Sequence, residues 1–291
     1  CSAALIFQAK ASNEENKSSR AAAMTALIDF IDEYITEKER RWIALLVCLD
    51  ALLWYAFRYV KEAKGKELNL AYPLVSFVAT IQFVKYGFTA LFDGSMMDLN
   101  TDPYSRLKAS HDGFAQLSQI TFAYEVFNTL ASVVMPQYRT GEFLGHHVLT
   151  MMIAKLSQHH GPEFYGLFYL GMASVSTIPL VFVDIFRYGP KSLKENFGVV
   201  NTAAQVLFAL TFLLVRAVIW PMMNLAFWRD TIINLRDPPE DGGTWRPYLI
   251  GLLLANTFLG VLQILWAGRI VKRLKKILQK DSTTSEAKKS I

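Results

Sequence analysis

Seven stretches of the chain are apolar over 16 to 25 residues, and each break between them carries charges, proline or glycine: 42–60, 70–92, 114–135, 143–158, 164–186, 200–224 and 247–267. A helix needs about 20 apolar residues to cross the hydrocarbon of a bilayer. The pattern therefore predicts an all-α membrane protein, a polytopic bundle of about seven transmembrane helices. The fourth stretch is the shortest and most polar, and is expected to lean on its neighbours. No segment sustains the strand-type alternation of a membrane barrel, and no internal repeat is evident.

The flanks read differently. Residues 1–40 form a polar segment in which Leu27, Ile28, Ile31 and Tyr34 recur at helical spacing, with Asp29, Asp32 and Glu33 opposite them. This predicts a short amphipathic helix over 24–34 before the first span. Residues 41–270 are the transmembrane bundle, and 271–291 a basic tail. A chain that starts at Cys1 is expected to be a fragment or a processed product, and the first nine residues lack the length and basic flank of a signal peptide.

Composition sharpens this picture. With 52% hydrophobic and 19% charged residues, the chain is more apolar than a soluble domain, which carries about 25% charge. Its two cysteines, Cys1 and Cys48, define no disulfide framework. The net charge of +5 comes largely from Arg269, Lys272, Arg273, Lys275, Lys276 and Lys280. A basic cluster just beyond a span favours the cytosolic side, and a helix leaving lipid is no nucleic-acid surface. Seven spans then put the N-terminus in the lumen, where Asn16-Lys17-Ser18 is a usable glycosylation sequon. The terminal Lys288-Lys289-Ser290-Ile291 has the form of a cytosolic dilysine retrieval signal, so the expected location is the endoplasmic reticulum.

Ionisable side chains inside a span are costly and mark a functional interior by default. Here they are Asp50, Lys85, Glu125, His146, His147, Lys155, Asp184 and Arg216, accompanied by Asn128, Ser174, Ser176 and Thr177. Lys155 and Asp184 lie near span ends, where they can snorkel. Reflecting positions through the hairpin loops as straight antiparallel helices sets His147, Ser176 and Thr211 on one plane, with Asn128 about a turn away. It sets Glu125, Met152, Gly171 and Arg216 on a second plane, which Asp50 joins. Two expectations follow: a structural ion pair between Glu125 and Arg216, shared with Asp50, and a polar pocket near the cytosolic face lined by His146, His147, Asn128, Ser174, Ser176 and Thr177. Adjacent helical positions point about 100° apart, so His146 and His147 serve different neighbours and no metal site is expected. Phosphate loops, paired-cysteine metal sites and soluble-enzyme triads are absent from the sequence.

The segment Glu142-Phe-Leu-Gly-His146-His147-Val-Leu-Thr150 resembles the hallmark histidine pair of the TLC (TRAM–Lag–CLN) domain family. Ser176-Thr177-Ile178-Pro179 is similar to the Ser-Thr-Pro stretch in the next span of many members. The run from Phe212 to Arg216 resembles their arginine-bearing helix, and Leu262-Gln263-Ile264-Leu265-Trp266 followed by Arg269 resembles their last span. The resemblance implies a membrane protein of lipid or sphingolipid metabolism that binds a lipid or acyl chain and influences membrane composition. It also implies an alternative, a ceramide-synthase-like N-acyltransferase joining acyl-CoA to a sphingoid base with His146 and His147 as catalytic residues. Acyl-CoA would then be a co-substrate, with no resident cofactor. The acidic motif of the synthases has no counterpart in Gly171-Met-Ala-Ser174-Val-Ser176-Thr177, which sets the chain nearer the Ser-Thr-Pro branch. Its expected partners are membrane lipids, acyl-CoA and sphingoid base, not nucleic acid, with homo-oligomerisation left open.

Overall fold

A computed structural model describes residues 33–94, 102–237 and 245–289. The chain falls into two compact units, 1–41 and 42–291. In the first, Thr36 Oγ1 accepts from the Glu39 backbone N–H (3.3 Å) and Glu39 Oε2 accepts from that of Thr36 (2.7 Å). This reciprocal box satisfies two N–H groups that the start of a helix leaves free. The sequon at Asn16 and all but the last two positions of the amphipathic helix expected over 24–34 lie outside the described residues.

The helices are α1 (Glu37–Phe57), α2 (Glu67–Phe92), a short α3 (Pro103–Lys108), α4 (Phe114–Val134), α5 (Gly141–His160), α6 (Glu163–Tyr188), a short α7 (Lys191–Asn196), α8 (Gly198–Arg236) and α9 (Trp245–Lys289). No strand occurs among the described residues. Each of the seven apolar stretches falls on one of the long helices. By length and apolarity, however, only α2, α6, α8 and the Arg246–Lys275 portion of α9 qualify to cross a membrane among the described residues. The other three have 20 or 21 residues and carry too many polar ones. In α4 these include Glu125 and Asn128, and in α5 His146, His147 and Lys155. Those polar groups turn inward where α4 and α5 pack along each other.

Six helices close on themselves: α4 packs on α5, α5 on α9, α9 on α8, α8 on α6, α6 on α2 and α2 on α4. Two of the six depart from α-geometry on the inner face. In α6 a π-turn, Leu167–Gly171, runs into a 3₁₀ turn, Met172–Ser176. In α8 a π-segment covers Leu213–Ile219, just before Pro221. Pro179 and Pro221 have no N–H for the carbonyl a turn earlier, and the freed carbonyls permit the rewinding. The α6 junction is also where two backbones meet. A methyl group on Gly87 of α2 would lie 2.4 Å from Met172 N, and one on Gly171 2.7 Å from Gly87 Cα. Only glycine allows that approach.

Candidate functional site

The six-helix ring encloses a cavity of about 490 Å³, within the range of pockets that bury a small-molecule ligand. Along α5 its wall extends from Glu142 to Ser157, about 22 Å at 1.5 Å per residue. One end is a mouth lined by Glu142, Asp184, Arg187 and Arg269. There the side chains of Arg187, Glu142 and Arg269 are 42%, 40% and 61% exposed. The opposite end is lined by the buried Tyr165, Phe227 and Leu252. The cavity is thus open at a charged end and closed at a mainly apolar one, to which Ser157 and Asn256 add polar groups.

His147 stands about 7.5 Å in from the mouth, five residues beyond Glu142 on α5. Thr140 starts this helix by accepting the Phe143 N–H on its hydroxyl (3.2 Å). The imidazole Nδ1 contacts Oε2 of Glu125 on α4. Asn128 donates to the same oxygen (3.3 Å) and accepts from the Tyr72 hydroxyl (2.9 Å). Asn128 Nδ2 also lies 3.2 Å from Nδ1, so this nitrogen faces both groups. Nε2 is buried and has no partner among the described residues. The Phe143 ring, 4.1 Å away edge-on, fixes the imidazole from the mouth side. His146 lines the same cavity with a different neighbour: its ring packs against Trp266 of α9 at 5.4 Å, and its Nδ1 is likewise buried and without a partner among the described residues.

Arg216 projects into the same cavity from the π-segment of α8. Its Nε donates to Ser176 Oγ (2.8 Å), Nη1 to Gln263 Oε1 (3.3 Å) and Nη2 to Thr177 Oγ1 (3.5 Å). All three partners are neutral, and no carboxylate among the described residues lies within ion-pair distance. The cavity therefore presents a carboxylate-held imidazole and a guanidinium bonded to neutral partners, both facing space that a ligand can fill.

The TLC domain family profile matches residues 69–272, more than two thirds of the chain. The chain belongs to the TLC domain family. No curated protein and no solved structure matches it.

Within this TLC domain several sequence expectations are redistributed. The Glu125–Arg216 ion pair does not form: Glu125 engages His147, and Arg216 engages Ser176. Asp50 joins neither: it sits on α1, which contributes nothing to the cavity lining, and its Oδ1 has no hydrogen-bond partner among the described residues. Asn128 is not a lining residue either; it is fully buried behind Glu125 and His147, where it holds them. Ser174, Ser176 and Thr177 do line the cavity, but Ser174 donates to Leu170 O (2.9 Å) and Ser176 to Ala173 O (3.1 Å). The planes drawn through straight helices separated Ser176 from Arg216 by about a turn. The long Arg216 side chain spans that separation and donates to Ser176 Oγ.

Three features of the TLC domain escaped sequence reading. Tyr72 belongs to the His147 network, and a lone tyrosine in an apolar span gives no signal. Asp184 takes the Tyr138 hydroxyl (3.3 Å) on the cavity wall instead of snorkelling outward. Arg106 and Asp230, which look like loop and helix-end charges, form a buried bidentate pair (2.6 and 2.7 Å), and the Tyr165 hydroxyl joins at 2.5 Å. Their 124-residue separation hides that pairing from any local pattern.

Proposed function

We propose that this integral membrane protein takes one long-chain lipid or acyl group into its cavity and thereby acts in membrane lipid metabolism, in the endoplasmic reticulum. The supporting observation is the polarity of the cavity along its length: a charged, open mouth, polar groups at His147 and Arg216, and a closed, mainly apolar end. From His147 to Ser157 there remain about 15 Å of wall for a tail. Burial of each methylene in such a space contributes about 0.8 kcal/mol, which favours a chain over a small polar solute. The test is lipid extraction and mass spectrometry of the full chain purified in detergent. A long-chain lipid is expected at close to one per protein, and a monodisperse preparation that carries none overturns the reading.

The Glu125–His147 pair favours a second reading, acyl transfer from acyl-CoA to a sphingoid base. The amine nitrogen attacks the thioester carbon, and Nε2 of His147 takes the proton released from that nitrogen. The C–S bond then breaks, and the leaving thiolate recovers the proton from Nε2, giving an amide and free CoA. Glu125 orients the imidazole and stabilises its charged form, as the acid of a catalytic triad does. Arg216 offers a positive charge to the carbonyl oxygen. Long-chain acyl-CoA and a sphingoid base mixed with wild type and His147→Ala in detergent test this: histidine-dependent amide formation supports it. Lipid-loaded wild type without turnover leaves binding as the function.

A further inference from the structure

The closed end of the cavity is built more firmly than its size requires. Tyr165, Phe227 and Leu252 come from α6, α8 and α9 and are 0%, 2% and 4% exposed. The Tyr165 and Phe227 rings meet edge-on at 5.1 Å. Behind them the Tyr165 hydroxyl donates to Asp230 Oδ2 (2.5 Å), and Asp230 is gripped by both Nε and Nη2 of Arg106. Arg106 arrives on α3, a six-residue helix started by Pro103 and by the Asp102 carboxylate, which accepts from the Tyr104 and Ser105 N–H groups at 3.0 Å. A buried bidentate pair contributes geometric precision more than net stability. Its effect here is to hold one ring in one place.

We propose that Tyr165, Phe227 and Leu252 form a rigid floor that sets the length of the ligand chain, with Arg106 and Asp230 as positioning residues that keep Tyr165 in register. This rests on the lipid-binding reading above and adds to it which chains are accepted. A chain too long for the floor must either leave methylenes outside or displace the Tyr165 ring against its hydrogen bond. A chain too short leaves apolar wall without contact. Each methylene gained or lost alters affinity about fourfold.

Three substitutions test the floor on the detergent-purified full chain. The readout is displacement of a bound radiolabelled saturated fatty acid by a homologous series of unlabelled ones. Phe227→Ala opens space and is expected to move the optimum to longer chains, with a gain of about fourfold per added methylene. Leu252→Trp fills space and is expected to move it to shorter chains, so the test survives if the first variant fails to fold. Tyr165→Phe keeps the ring but releases it from Asp230, and is expected to broaden the preference toward longer chains. A wild type with a clear optimum that none of the three shifts overturns the floor and leaves lipid binding standing. A folded wild type that binds no member of the series overturns the floor, and the co-purified lipid then decides lipid binding separately.

Discussion

The two nitrogens of His147 sit in different circumstances, and that asymmetry makes the site testable. Nδ1 is tied to Glu125, and Nε2 is buried with nothing to bond. Glu125→Gln keeps the volume of the side chain but replaces the carboxylate oxygen that contacts Nδ1. If acyl transfer is the activity, this change is expected to lower turnover by about four orders of magnitude. Lipid content should stay unchanged, because the cavity shape is kept. Measuring turnover and bound lipid on one preparation checks both, and equal loss of the two would show a structural role only. Arg216 gives a second prediction. Because it bonds Ser176 and Gln263 instead of Glu125, exchanging the two charges is expected not to rescue folding. Each single change should cost roughly 3–5 kcal/mol by stranding a buried group. Recovery of a monodisperse, well-expressed double mutant would show that the two do pair.

Helices α2 and α6 cross where Gly87 and Gly171 leave no room for a side chain. The π-turn of α6 ends there and its 3₁₀ turn follows, carrying Ser174 and Ser176 to the cavity wall with Thr177 just beyond. Gly87→Ala drives a methyl group into the Met172 backbone, so a loss of about 1–3 kcal/mol is expected, the usual effect of overpacking. Gly251 on α9 has open space around its Cα, so Gly251→Ala should be neutral or slightly stabilising. Melting temperatures of the two variants in one detergent make the comparison. A Gly87→Ala protein as stable as wild type would mean that the crossing gives way without cost. The π-segment of α8 has a related consequence: it carries Arg216, and a return to α-geometry would rotate the guanidinium away from the cavity by about 100° per residue shifted.

At its two ends the bundle is held by ion pairs of opposite character. The Arg106–Asp230 pair at the closed end is buried, and Asp230→Ala is expected to cost roughly 3–5 kcal/mol. The mouth is spanned by Glu142 of α5 and Arg269 of α9, bonded at 2.6 Å through both oxygens but open to solvent. The Arg269 hydrogen bonds hold the Glu142 carboxyl below its ordinary range. A group with a lowered pKa contributes fully above its unfolded value and loses that contribution as pH falls through the folded one. The clasp should therefore be intact at neutral pH and release only in acid, below the usual carboxylate range. Bound lipid is expected to exchange faster as it opens. Exchange rates measured against pH in wild type and Glu142→Gln check this; an acid dependence that survives in the variant would assign it to another group.

The family and fold class were legible in the chain itself because both depend on local signals. Runs of apolar residues give helices whatever their neighbours, and the histidine pair at 146 and 147 stands out as polar residues where lipid-facing ones belong. The divergence of the two rings also followed from helical geometry alone. Partner choice did not. Glu125 reaches His147 instead of Arg216, Asn128 backs the site instead of lining it, and Asp50 takes no part. Each outcome depends on which faces of separate helices meet. Among the described residues four helices meet the length and apolarity of a span; α4 and α5 fall short because packing against each other lets them carry polar groups that lipid would reject. The cavity, its open mouth and its sealed end belong to the tertiary structure, because a closed ring of six helices is a relation among distant residues that no stretch of sequence contains.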